Sequence, residues 1–164
     1  MKHAGSSALR TSRASLCGAV LLMSAPPLAH AASIASCTAT ATSIAFGTYT
    51  PLQATVLAST GTITISCTGV RGRNTVTIDL SQGASGAYAT RTLQAGSATL
   101  SYNLYQDAAN TAIWGNGTGG STEASATIRR RTPTATLTVY GGVLVRQDPA
   151  PGTYGDTITV SVNY

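Results

Sequence analysis

At 164 residues the chain has room for one domain of ordinary size, and less once its first segment is set aside. The formal net charge of +5 suggests a polyanionic partner, but Lys2, Arg10, Arg13 and both histidines (His3, His30) fall within the first 31 residues. The remaining 133 residues carry seven Arg against five acids, a net of +2, which argues against a nucleic-acid partner because phosphate binding needs a concentrated basic footprint.

In chain order, Lys2, Arg10 and Arg13 make a basic start, Leu16 to Met23 an apolar centre, and Ala29-His30-Ala31 a small-residue cleavage site. This order predicts a secretory signal peptide over 1–31, cleaved after Ala31, with one domain over 32–164. The apolar run is too short to span a bilayer, so membrane insertion is not expected. Cys17 leaves with the leader, and Cys37 and Cys67 remain in a chain bound for an oxidising compartment, which predicts a Cys37–Cys67 disulfide. Ile34–Cys37 also resembles a lipobox, but Pro26, Pro27 and His30 separate it from the apolar centre, and lipidation would strand Cys67.

The body of the chain alternates. Ile63, Ile65 and Cys67 face one way and Thr62, Thr64 and Ser66 the other; Val76, Ile78 and Leu80 repeat the pattern, then Leu100, Tyr102 and Leu104. Leu137, Val139, Val143 and Val145 follow around a Gly141-Gly142 break, and Ile158, Val160, Val162 and Tyr164 close the chain. Period two in β-branched residues, punctuated by Gly, Asn and Asp, predicts an all-β antiparallel sandwich with the disulfide buried between the first two strands. Between the last strands, 107–125 reads as a loop or irregular hairpin with a turn at Asn116-Gly117, and Trp114 reads as a plug of the sandwich rather than a surface aromatic. Asn116-Gly117-Thr118 also fits the N-glycosylation sequon, a pattern often met by chance. Arg129-Arg130-Arg131 reads as a solvated strand edge whose charge discourages edge-to-edge pairing, rather than a binding patch.

Catalytic chemistry has little to work with. The predicted mature chain holds no His and no Lys, so the commonest general base and the amine nucleophile are absent. Asp79, Asp107, Glu123, Asp148 and Asp156 are scattered; Asp148 and Asp156 could approach across the last loop, but Asp156 reads as a turn residue. No cluster has metal-ligand spacing and no glycine-rich stretch ends in a phosphate-binding lysine, so neither an enzyme nor a cofactor is expected.

Several pieces in a shared order resemble the spore coat protein U domain family, which includes subunits of archaic chaperone–usher pili. These are Phe46-Gly47 after the first Cys, the second Cys on a strand, Arg91-Thr92-Leu93, Tyr102-Asn103-Leu104-Tyr105, Tyr140-Gly141, and the Gly152, Tyr154, Asp156 ending. The resemblance runs from Cys37 to Tyr164. It implies an immunoglobulin-like sandwich lacking its final strand, completed first by a periplasmic chaperone and then by a neighbouring subunit passed on at an outer-membrane usher. It further implies export through the periplasm to the surface of a Gram-negative bacterium, for adhesion or biofilm. Ile158, Val160, Val162 and Tyr164 are then the expected acceptor-groove and chaperone-binding strand, and an apolar-faced strand with nothing after it agrees.

One departure stands out. Only five residues, Ala32–Ser36, precede Cys37 after the expected cleavage, spanning at most about 17 Å, with Ile34 the one large apolar side chain. An acceptor that donates poorly is expected: a fibre cap or a stand-alone coat protein. The alternative function is an autonomous carbohydrate-binding sandwich using Trp114 and nearby tyrosines.

Overall fold

The alternation resolves into eight strands in a computed structural model, which describes residues 34–164. They are β1 (Ser36–Ala41), β2 (Leu57–Thr68), β3 (Arg73–Leu80), β4 (Thr92–Ala95), β5 (Ala98–Tyr105), β6 (Ala124–Arg129), β7 (Thr134–Val143) and β8 (Val160–Asn163). The predicted leader, its cleavage site and Cys17 lie outside the described residues. Among the described residues no helix is long and apolar enough to cross a membrane.

The strands form two antiparallel sheets, β1-β2-β7-β5-β4 and β6-β3-β8. Their inner faces meet in one core: Ile63 and Ile65 from β2, Val76 and Ile78 from β3, Ile128 from β6 and Val143 from β7 are all but sealed from solvent. This is the antiparallel sandwich that the alternation predicts, in the immunoglobulin-like form that the resemblance implies. A buried face forces a strict period of two, so the inward set was readable residue by residue. Cys37 and Cys67 sit opposite each other in the β1–β2 register and are joined by a 2.07 Å S–S bond; Cys67 is buried and Cys37 half-buried.

Trp114 is the plug. It is 1% exposed and its indole N–H donates to the Ile78 carbonyl at 2.8 Å. A surface aromatic for sugar binding is therefore not what it supplies.

Two details correct the sequence reading. There is no break at Gly141-Gly142: β7 runs through both, paired to Ser59 and Ala58 on one side and to Leu104 and Asn103 on the other. Glycine weakens a strand in general, but here the missing side chain on Gly141 makes room for the Phe46 ring. Tyr164 does not continue the inward face. It lies beyond β8, 59% exposed, because the β3 pairing stops at Asn163.

Composition counts Arg91 as surface charge, yet it is fully buried. Its guanidinium donates to the Ser81 carbonyl twice (3.2 and 2.7 Å), to Asn103 Oδ1 (2.9 Å) and to the Trp114 carbonyl (2.8 Å). It also lies 5.2 Å from the Tyr88 ring centroid. Burial lowers its pKa, and the ring of acceptors offsets the cost of hiding the charge. The network ties the 81–91 connection and the Trp114 loop to β5.

Candidate functional site

Past Ala41 the chain leaves the edge of the large sheet. Thr42 N–H still bonds the Thr62 carbonyl at 2.9 Å, and then residues 43–49 cross the inner face of β2 and β7. Two glycines admit them. A Cβ on Gly61 would lie 2.7 Å from Ile44 Cγ1, and one on Gly141 would lie 2.8 Å from Phe46 Cζ. Phe46 then meets Tyr102 of β5 edge-on, with ring centroids 5.9 Å apart. Tyr49 anchors the far end, its hydroxyl donating to the Leu144 carbonyl (3.2 Å) and accepting from Gln147 N–H (2.9 Å).

A second segment, 149–160, faces this strap. Gly155 bridges Gln94 of β4 through paired backbone bonds of 2.8 and 3.0 Å. The Asp156 carboxylate accepts three hydrogen bonds: from Ala84 N–H (2.9 Å), Thr157 N–H (2.8 Å) and the Tyr102 hydroxyl (2.7 Å). Burial first, then Asp156, holds the Tyr102 phenol far above the ordinary tyrosine range, so it stays a donor.

Between the two segments lies a groove of about 910 Å³. Its floor is the core itself: Leu80, Leu93, Leu100, Leu104, Val139 and Val143. Among the described residues lining it, Asp156 is the one carboxylate, and its oxygens already hold three donors. It therefore serves as a pin for the groove wall, and Asp148 is not among the lining residues. No group of three or more metal-ligating side chains occurs among the described residues.

The groove runs beside the edge of β8. That strand pairs with β3 alone, Val160 opposite Leu80 and Val162 opposite Ile78. The Ser81 N–H donates to the Thr159 carbonyl at 2.9 Å, so the backbone groups of Thr159, Ser161 and Asn163 turn toward β3. Strand alternation then points those of Val160 and Val162 at the open edge.

The four residues predicted for this strand divide. Ile158 and Val160 line the groove, Val162 packs half-buried against the core, and Tyr164 stands in solvent. Sequence reasoning missed the opposite wall, Ile44, Phe46 and Tyr49, and the floor as a surface. Phe46-Gly47 was the available signal, but nothing local showed where Phe46 would land.

A family model of the spore coat protein U domain matches residues 23–161. The chain belongs to that family. No curated protein matches it. Among solved structures this spore coat protein U domain is similar to a chain in the CsuC–CsuE complex of Acinetobacter baumannii, a chaperone–tip adhesion subunit pre-assembly complex from archaic chaperone–usher Csu pili. The TM-score is 0.56 at 24% identity, and the match covers 79% of this chain but 39% of that one, a likeness of fold. In this spore coat protein U domain Phe46, Tyr102, Tyr154 and Asp156 all line the groove, with Phe46 edge-on to Tyr102 and Tyr102 bonded to Asp156.

Proposed function

We propose that the protein is a secreted, non-catalytic structural subunit of a surface pilus or coat, assembled by a chaperone–usher pathway through donor-strand complementation. The observation that carries this reading is the open edge of β8 beside a groove floored by core side chains. An extended strand of alternating large apolar residues satisfies both halves of that site: its backbone pairs with Val160 and Val162, and its inward side chains replace water over Leu93, Leu100 and Val139. Catalysis has no comparable support in the groove.

The partners are a periplasmic chaperone, an outer-membrane usher and neighbouring subunits, with passage through the periplasm to the cell surface and a role in adhesion or biofilm. The family and the Csu complex both favour this. The protein accepts a strand but does not offer one. Ala35 N–H already bonds the Thr68 carbonyl at 3.0 Å and Ile34 packs on its own core, so after the expected cleavage Ala32 and Ser33 alone are left to donate. A place at the end of a fibre, or in a coat without shaft polymerisation, follows.

Expression in the periplasm tests this. Alone, the chain aggregates or is degraded; with a cognate chaperone it accumulates as a one-to-one complex. Equal yield of soluble monomer in both cases would contradict the proposal.

A further inference from the structure

Five of the seven arginines in residues 34–164 gather at one end of the small sheet. Arg73 of β3 stands directly opposite Arg129 of β6, both side chains on the outer face, away from Val76 and Ile128. Arg71 precedes β3, and Arg130-Arg131 form the two-residue turn closed by Arg129 and Thr132, whose backbones bond each other at 3.1 and 3.0 Å. All five are exposed.

Several features set this cluster apart from ordinary surface charge. Like charges directly opposite in a sheet destabilise it. A two-residue connection favours Asn-Gly or Gly-bearing pairs, and here both places hold arginine. Asp79 and Glu123 sit at or just beyond the far ends of the same two strands, and Asp79 is roughly 20 Å along β3 from Arg73. Among the described residues, the arginine side-chain hydrogen bonds are all made by Arg91. Protection of the exposed β6 edge accounts for Arg129. It does not account for Arg73, which lies on the central strand, or for Arg71 in the turn.

The acids differ. Asp156 holds three internal donors, Asp79 accepts from Asn163 at 2.8 Å, and Asp107 accepts from Ala112 N–H at 2.7 Å. Three of the five carboxylates are thus committed within the fold. The other two, Glu123 and Asp148, are exposed but stand singly on separate segments, so a second copy of this chain offers no acidic cluster to five guanidiniums and is the poorer partner. Leading away from Arg73 and Arg129 along the same face are Thr75 opposite Thr127 and Thr77 opposite Ser125. This is a ladder of hydroxyls without an aromatic platform for bases. Of the exposed large apolar side chains, Leu52, Val56 and Leu144 belong to other segments, and Tyr164, one residue past the Asn163–Thr77 pair, is a lone aromatic and not a patch, so this face offers no apolar surface to a lipid.

We propose that Arg71, Arg73, Arg129, Arg130 and Arg131 dock an acidic polysaccharide, their guanidinium forks taking its carboxylates while the threonine ladder bonds its sugar hydroxyls. The guanidiniums sit at the β3–β6 end of the small sheet, whereas the open edge of β8 faces away from β3, so this reading and the strand-acceptor reading fail separately.

The test uses the mature chain in whatever folded form it is recovered, chaperone-bound or free, with polygalacturonate, neutral dextran and duplex DNA as probes. Polygalacturonate binds, dextran does not, DNA binds more weakly, and raising salt weakens the binding. Arg73→Thr with Arg129→Thr weakens polygalacturonate binding roughly tenfold while leaving the melting temperature equal or higher, since a like-charge pair is relieved. Absent polygalacturonate binding, equal binding of dextran, stronger binding of DNA, or an unaffected Arg73→Thr variant whose Arg129→Thr counterpart merely self-associates would each overturn the proposal.

Discussion

The Tyr102 hydroxyl donates to Asp156 Oδ2 at 2.7 Å, tying the middle of β5 to the segment that leads into β8. The two residues lie 54 apart in sequence. Their bond closes one wall of the groove, and the same carboxylate fastens the 3-10 turn at Gly83–Ser85 through Ala84. Replacing Asp156 by Ala removes three hydrogen bonds at once and leaves the Tyr102 hydroxyl, on a buried side chain, without its acceptor, a loss of about 2 kcal/mol. Chemical denaturation of the chaperone-bound or strand-complemented protein measures it, and Tyr102→Phe should cost less.

The same pair sets a limit at high pH. The folded-state pKa of Tyr102 is raised, by burial first and by Asp156 next. A phenol whose folded pKa exceeds its unfolded value contributes stability that is fully present below the unfolded value, near pH 10, and is lost as pH rises from there toward the folded value. Denaturation midpoints should therefore fall above about pH 10, and Tyr102→Phe should flatten that fall.

Gly141 should not tolerate a side chain. A Cβ would meet Phe46 at 2.9 and 2.8 Å, so Gly141→Ala is expected to destabilise by about 1–3 kcal/mol. Phe46→Leu in the same chain should recover part of it. A double-mutant cycle reads the coupling; additive losses would mean the strap does not rest on that glycine.

Removing the bridge by Cys37→Ala with Cys67→Ala opens a loop with a sequence separation of 30. The expected loss is about 3.5 kcal/mol on the chain-entropy account. The β1–β2 register survives, because Thr38 to Ala41 remain paired with Ile63 to Ser66. Thermal unfolding under oxidising conditions checks the size of the loss.

What the sequence showed plainly was whatever a buried face imposes on consecutive residues. Ile63 and Ile65, Val76 and Ile78, and Leu100, Tyr102 and Leu104 are inward because alternation leaves no other choice, and Cys67 falls in step with them. Features built across long separations were hidden. Phe46 settles on Gly141 and Ile44 on Gly61, contacts without any local period, and the glycines themselves read as interruption. Arg91 disappeared into a net charge although its acceptors sit 10 to 23 residues away. The basic pole was half visible: Arg129 to Arg131 are adjacent, but register alone brings Arg73 against them. Ile158 and Val160 were legible as a face, whereas the cleft they border exists only because the strap stands opposite.

Hydrogen exchange along β8, with and without a synthetic peptide of alternating large apolar residues, bears most directly on strand acceptance. In the unoccupied chain, Ser161 and Asn163 amides exchange slowly through their pairing with β3 while Val160 and Val162 exchange fast. Adding the peptide slows Val160 and Val162 selectively, and a peptide of the same composition with the alternation scrambled does not. Val160 and Val162 amides that are already as protected as Ser161 in a free, cooperatively melting monomer, and unchanged by either peptide, would contradict it.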